Sequence, residues 1–198
     1  MKEKTILVVI PVREEHRELL EEAAPGNHFV YSSIKEVSRE QVQEADVILG
    51  NVPADKIGAS KKLQWLQLNS AGADAYAGEG ILDENTIVTT SNGAYGKTVS
   101  EHMFAMLMAM QKKLHLYRDS QNKHIWDEHG TVTSIADSTV LIFGMGDIGR
   151  HFAKMAHALG AYVIGVKKSP GNCPEYIDEP HLMKDCRELL PHADVVVS

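Results

Sequence analysis

A glycine-rich turn between an apolar run and a helical segment carries the clearest chemistry in the chain. The run Val140–Phe143 is typical of a buried parallel strand, and the sequence GMGDIG at 144–149 follows it directly. A segment with one apolar face at helical spacing comes next. A G-x-G-x-x-G turn placed between a strand and a helix favours a dinucleotide site, and a glycine-rich turn without a ligand is the alternative.

The three glycines of this turn have separate expected roles. Gly144 permits a tight turn, Gly146 lets the backbone approach a pyrophosphate, and Gly149 lets the helix pack closely against the strand. Free N–H groups at the start of the helix are then available to the phosphates. The candidate cofactor-binding residues here are Gly144, Met145, Gly146, Asp147, Ile148 and Gly149.

Composition excludes several classes of protein. The chain has 198 residues, 43% of them hydrophobic and 24% charged, which is ordinary for a globular protein with a core. Its net charge of -7 argues against nucleic acid or an anionic membrane as partner, and no apolar run has the length of a membrane span. Two cysteines cannot form a disulfide framework, and no Cys/His cluster has metal spacing. We therefore expect a cytoplasmic protein without a metal site.

Strands alternate with helices along the chain, which predicts an α/β fold with parallel sheets. The predicted strands are 5–11, 28–32, 46–50, 63–69, 86–90, 140–143, 161–168 and 194–197. The predicted helices are 14–24, 38–45 with Ser38 as its cap, 55–60, 98–122 and 181–190.

The predicted helix 98–122 is long and apolar on more than one face. Thr98 and Glu101 have the spacing of a capping box at its start. Apolar residues on two faces indicate burial on two sides, either within the core or against another subunit. One stripe contains Val99, Met103, Met106, Leu107, Met110, Leu114 and Tyr117, whereas Phe104 and Met108 lie off it.

Two further segments have the residue types of ligand sites. Residues 70–74 (SAGAD) follow the fourth strand, and their small side chains leave backbone N–H groups accessible to an anion; a plain turn is the alternative. Lys167, Lys168 and Ser169 stand at the end of the strand after the glycine turn, where an acidic residue would bind the ribose hydroxyls of NAD(H). Two ammonium groups and a hydroxyl attract a 2′-phosphate, which favours NADP(H) over NAD(H), unless both lysines are simply solvated.

Taken together, these segments resemble the D-isomer-specific 2-hydroxyacid dehydrogenase family over nearly the whole chain. The glycine turn alone is shared by many families, and its combination with the other motifs is more specific. The matching motifs are SAGAD at 70–74, SNGAYGKTVSEHMFAMLMA at 91–109, IFGMGDIGRHFAKMAHALG at 142–160, VIGVKKS at 163–169 and LLPHADVVVS at 189–198.

The resemblance implies a flavodoxin-like substrate domain, of which residues 1–97 are the N-terminal part, followed by an incomplete Rossmann NAD(P)-binding domain at 98–198. It also implies that the backbone amides of Ala71, Gly72 and Ala73 hold the carboxylate of a small 2-oxo or 2-hydroxy acid. Thr98 matches a position near the nicotinamide, and the helix 98–122 matches the family's dimerisation helix, which implies a homodimer.

The family's catalytic arginine, glutamate and histidine lie beyond the DVVV strand, so the resemblance assigns no catalytic residue to this chain. Members have on the order of 300 residues or more. We therefore expect a truncated dehydrogenase that has no turnover by itself. The alternatives are a dinucleotide-sensing dimeric interaction protein, similar to corepressors of this superfamily, and a non-functional truncated product.

Overall fold

The computed structural model describes residues 3–198, which form two compact units. The first unit extends to Gly93, and the second begins at Ala94. Each unit has its own parallel sheet and its own hydrophobic core, which confirms the predicted α/β class. Among the helices of residues 3–198, none combines the length and apolar character that crossing a membrane requires.

The first unit is built on five short parallel strands. These are β1 Thr5–Val8, β2 His28–Tyr31, β3 Val47–Leu49, β4 Trp65–Gln67 and β5 Ile87–Thr89, with helices α1 Glu14–Ala23, α2 Arg39–Glu44 and α3 Ala54–Ile57. The strand order is β2-β1-β3-β4-β5, which is the order of the flavodoxin-like fold.

The core of the first unit is built by residues that lie opposite one another on neighbouring strands. Leu7 pairs with Ile48, and Ile48 pairs with Leu66, and all three side chains are fully buried. Continuous apolar strands of this kind are expected where helices cover both faces of a parallel sheet. Ser38 caps α2 as predicted, because its hydroxyl accepts a hydrogen bond from the Gln41 N–H at 3.1 Å.

The second unit contains the glycine-rich turn. Its elements are α4 Gly96–Gln111, α5 Leu114–Asn122, β6 Thr139–Phe143, α6 Asp147–Ala158, β7 Tyr162–Lys167, β8 Glu179–Leu182, α7 Cys186–Leu189 and β9 Val195–Val197. The strand order is β8-β7-β6-β9 and every pairing is parallel. Numbered within the unit, the order is 3-2-1-4, which is how the Rossmann order begins.

The prediction of one helix over 98–122 is wrong, because the structure has two helices there. α4 ends at Gln111, and Lys113 has a φ of 55°, in the left-handed region that stops a helix. The Lys112 ammonium donates a hydrogen bond to the carbonyl of Thr133 at 2.6 Å, so the break is tied to the chain that follows α5. α4 also begins earlier than predicted, with Tyr95 at its N-cap, and Thr98 therefore lies inside the first turn instead of capping it.

The apolar stripe predicted on this helix is divided differently in the structure. α4 packs against α6, and the rings of Phe104 and Phe152 lie 5.4 Å apart. Phe104 and Met108, predicted to lie off the stripe, pack on the core, whereas Met106 and Met110 are 55% and 67% exposed. The position of α6 decides which face is buried, and the spacing of apolar residues along α4 does not contain that information.

A helix over 181–190 is also a wrong prediction. His181 and Leu182 belong to strand β8, which pairs with the end of β7, and α7 covers only Cys186–Leu189. β8 lies at the edge of the sheet, where a proline such as Pro180 is tolerated. Pairing with β7 therefore outweighs the helical pattern of the local sequence.

Candidate functional site

The glycine turn, residues 144–149, lies at the carboxyl end of β6, where the strand order of the second sheet reverses. β6 has β7 on one side and β9 on the other, and ligands of open parallel sheets bind at such a switch point. The Gly144 N–H donates a hydrogen bond to the carbonyl of Val166 at 2.9 Å, which anchors the turn to β7. Gly144 has a φ of 93°, a conformation that favours glycine.

Gly146 and Gly149 differ in the space around them. A Cβ on Gly149 would come far closer than 3.0 Å to the carbonyl oxygen of Gly144, a separation that real Cβ atoms essentially never show. A Cβ on Gly146 would meet nothing within 4 Å. Gly149 is therefore required for the packing of α6 on the turn, whereas Gly146 leaves open space beside the backbone, as close approach of a pyrophosphate needs.

The turn presents several backbone N–H groups to that open space. Gly146 is the N-cap of α6 and offers no side-chain cap, and the helical bonding begins with Arg150 N–H to the carbonyl of Gly146 at 3.0 Å. Together with the positive end of the α6 dipole, this arrangement suits a phosphate. No residue within 3–198 accepts a hydrogen bond from the backbone N–H of Met145, Gly146, Asp147, Ile148 or Gly149.

The side chain of Asp147 joins the start of α6 to the start of α4. Its carboxylate, 24% exposed, occupies the space that a Cβ on Gly96 would need. His151 lies one turn along α6, with its Nδ1 3.3 Å from a carboxylate oxygen of Asp147. Thr98, exposed in the first turn of α4, lies two residues beyond Gly96 and therefore at the same end of the second unit as the glycine turn.

Lys167 is the last residue of β7, and its side chain is half-buried. Its ammonium donates hydrogen bonds to the backbone carbonyls of Gly171 and, at 3.2 Å, Asn172. Lys168 and Ser169, the other two residues predicted to meet a 2′-phosphate, are exposed. The three residues therefore stand together at the strand end, but Lys167 is engaged with the chain that follows it.

The small-residue loop, residues 70–74, follows β4 in the first unit. Ala71 and Gly72 are exposed and Ala73 is half-buried. Within residues 3–198, no acceptor is paired with the backbone N–H of any of the three. The loop can therefore offer backbone donors to an anion.

A side chain from a neighbouring strand end holds this loop, and the sequence analysis missed it. The Asn51 carboxamide accepts from the Asn69 N–H at 3.0 Å and donates to the Ser70 hydroxyl at 2.9 Å. That hydroxyl in turn donates to the carbonyl of Gly72 at 2.7 Å. The available signal was a polar residue just after β3, because carboxyl ends of adjacent parallel strands share one edge.

His181 is the histidine with the clearest electrostatic perturbation in the second unit. Its Nε2 lies 2.5 Å from a carboxylate oxygen of Glu179, and this hydrogen bond raises the pKa of His181 above its ordinary value. The same bond lowers the pKa of Glu179. The pair stands on the edge strand β8 and contains no residue of the predicted sites.

Comparison with known proteins relates the second unit to one family of dehydrogenases. Residues 104–198 match the model described as D-isomer specific 2-hydroxyacid dehydrogenase, NAD binding domain. Over these residues the chain is similar to the NAD-binding domain of the D-isomer specific 2-hydroxyacid dehydrogenase family. The matched residues contain β6, the glycine turn, α6 and β7, so the match includes the candidate cofactor cradle.

Dehydrogenases of this type resemble most or nearly all of the chain. D-3-phosphoglycerate dehydrogenase of Methanocaldococcus jannaschii is 26% identical over 200 residues, which cover 96% of this chain and 37% of that protein. Glycerate dehydrogenase of Methylorubrum extorquens is 29% identical over 79% of this chain and 50% of its own length. A family protein of Aeromonas salmonicida superposes with a TM-score of 0.84 and 26% identity over 98% of this chain and 63% of its own. The chain thus spans about a third to two thirds of these relatives.

Proposed function

We propose that the chain supplies the dinucleotide cradle and the substrate-carboxylate loop of an NAD(P)-dependent dehydrogenase that interconverts a small 2-oxo acid and its 2-hydroxy acid. Residues 1–97 would form the substrate part and residues 98–198 the cofactor part. The observation that carries the proposal is the row of N–H groups in residues 145–149 that have no acceptor within residues 3–198, at the start of α6 and beside an open Gly146. The bound nicotinamide would donate or accept a hydride.

In this proposal the chain's own residues bind and orient the reactants. The N–H groups of Ala71, Gly72 and Ala73 bind the substrate carboxylate, and the Asn51 carboxamide keeps their loop in shape. Thr98 would contribute to the site near the nicotinamide. We assign no proton-transfer role to any residue of this chain. His181, the histidine of β8, is hydrogen-bonded to Glu179 of the same strand.

NADP(H) is the preferred cofactor in this proposal. Lys167 and Lys168 bring two positive charges to the end of β7, and Ser169 adds a hydroxyl. A carboxylate at this position would accept hydrogen bonds from the ribose hydroxyls and repel a 2′-phosphate. The lysine ammonium groups instead attract a 2′-phosphate, and they cannot accept hydrogen bonds from the ribose hydroxyls.

We also propose that the chain forms a homodimer through the region 98–122. Support comes from apolar side chains that α4 and α5 leave exposed. These are Met106, Met110, Leu114, Leu116 and Tyr117. The same exposed surface favours the second candidate function, a dinucleotide-sensing interaction protein that dimerises without catalysis.

Calorimetric titration with NADPH, followed by a turnover assay, tests the proposal. We expect saturable NADPH binding that Gly146→Val weakens at least tenfold, because the new side chain would fill the space kept for the pyrophosphate. With glyoxylate, pyruvate or hydroxypyruvate we expect no turnover by this chain alone. NADPH-dependent dimerisation in sedimentation would favour the interaction protein, and absence of any NADPH binding would contradict both functions.

A further inference from the structure

The segment 168–173, which follows β7, depends on one side chain for its shape. Within the described chain, the hydrogen bonds made by this segment are those that the Lys167 ammonium donates to the carbonyls of Gly171 and Asn172. The segment has no regular secondary structure, and Gly171 has a φ of 150°, which few other residues adopt. A segment with so few internal bonds is ordered only if something ties it down.

Lys167 is well placed to do this and poorly placed to act as a free phosphate ligand. An ammonium has three N–H donors, and two of them already bond to backbone carbonyls. Lys167 is half-buried, whereas Lys168 and Ser169 are exposed. The charge available to a ligand at this strand end is therefore mainly that of Lys168.

We propose that Lys167 is a positioning residue for the 2′-phosphate subsite: its ammonium bonds to the carbonyls of Gly171 and Asn172 and so holds Lys168 and Ser169 where they contact the phosphate. This inference rests on the proposed binding of NADP(H) at the end of β7. The two lysines, which the sequence alone does not distinguish, then have different roles: Lys167 orders the segment and Lys168 binds the 2′-phosphate.

Binding of 2′,5′-ADP and 5′-AMP to the whole chain, measured by calorimetry, separates these roles. The first probe carries the 2′-phosphate and the second lacks it. Lys168→Met should weaken 2′,5′-ADP about tenfold through loss of one charged hydrogen bond, and Lys167→Met should weaken it to a similar extent through disorder of the segment. Neither change should alter 5′-AMP binding, and Lys123→Met, with the same loss of charge at the end of α5, should alter neither probe.

The affinity of the double variant Lys167→Met/Lys168→Met for 2′,5′-ADP distinguishes a positioning role of Lys167 from direct contact with the 2′-phosphate. If Lys167 acts by positioning Lys168 and Ser169, the double variant binds 2′,5′-ADP no more weakly than Lys167→Met alone, because that change already removes both contacts and the two losses are not additive. Lys167→Arg, which keeps donors for both carbonyls, should restore wild-type affinity to within about threefold. Thermal unfolding of each variant checks that the second unit still folds.

Several results would overturn the inference. Additive losses in the double variant would make Lys167 a direct ligand, and unchanged affinity in Lys167→Met would remove its role. Equal affinity of the wild type for both probes would refute the NADP(H) preference together with the inference. Absence of binding by either probe would refute the dinucleotide site itself, which is a failure of the proposed function and is recognised by the missing 5′-AMP signal.

Discussion

The glycine turn and the small-residue loop both present backbone N–H groups that have no acceptor in the described part of the chain, but different interactions hold the two segments in shape. In the glycine turn, α6 packs directly on the backbone because Gly149 has no side chain, and the Gly144 N–H is bonded to β7. In the small-residue loop, side chains do this work, through the series of hydrogen bonds from Asn51 to Ser70 to Gly72. A segment that presents backbone N–H donors can thus be held in place either by close packing or by hydrogen bonds from a polar side chain that follows a neighbouring strand.

The largest expected loss of stability comes from adding a side chain where α6 packs on the backbone of the glycine turn. Gly149→Val should lower the free energy of unfolding of the second unit by about 3 kcal/mol or more, because its Cβ would collide with the carbonyl of Gly144 and the helix would have to move. Urea denaturation of the chain measures this. Gly146→Ala is the matched control and should change stability by no more than about 1 kcal/mol, since its Cβ meets open space. Equal losses in the two variants would contradict the division of roles between the glycines.

A smaller loss is expected when the side-chain support of the other loop is removed. Asn51→Ala should destabilise the first unit by about 1–3 kcal/mol, because the Asn69 N–H and the Ser70 hydroxyl both lose a partner. Asn85→Ala, which removes one exposed hydrogen bond from the Asn85 side-chain amide to the Asp83 carboxylate, should cost about 0.5 kcal/mol or less. Hydrogen exchange at residues 69–73 should rise in the first variant alone, and unchanged exchange there would show that Asn51 does not hold the loop.

The contact between the two helix starts gives a third, coupled effect. Gly96→Ala should destabilise the second unit because Asp147 occupies the space of the new Cβ, and Asp147→Ala in the same chain should relieve part of that cost. The expected interaction energy in the double-variant cycle is about 1 kcal/mol, as is usual for residues in contact. Additivity of the two changes, measured by thermal unfolding, would mean that the helix starts are not joined through Asp147.

The smallest effect is the pH dependence that the His181–Glu179 pair produces. The raised pKa of His181 means that its stabilisation is complete below its unfolded pKa, near 6.5, and is lost as the pH rises through the folded pKa. The lowered pKa of Glu179 means that the same pair also weakens as the pH falls through the folded pKa of that carboxyl. Because both groups are partly solvated, the effect should stay below about 1 kcal/mol. The free energies of unfolding of the wild type and His181→Asn, measured at about pH 6 and pH 8, test this pH dependence. Identical pH profiles would show that the pair does not contribute to it.

The sequence predicts those parts of the fold that depend on local pattern. The strand β6, the glycine turn and α6 could be located because an apolar run, spaced glycines and a helical period stand next to each other. The Ser38 cap could be located for the same reason. The family resemblance based on these motifs is confirmed by the match over 104–198.

Features decided by partners distant in sequence could not be predicted. The break at Lys113 is tied to carbonyls after α5, the buried face of α4 depends on α6, and β8 forms because β7 is beside it. Asn51 acts on a loop that follows a different strand. In each case the deciding contact is made in the folded chain, and local propensity is overridden by it.

We propose above all that the backbone N–H groups of residues 145–149 bind the phosphates of a dinucleotide. Recording amide chemical shifts of the chain during titration with NADPH tests this claim most directly. We expect saturable shifts at Met145, Gly146 and Asp147 in the wild type, and no saturable shifts at Met145 and Asp147 in Gly146→Val. Saturating NADPH that leaves these amides unchanged, or that shifts only residues elsewhere in the chain, would contradict it.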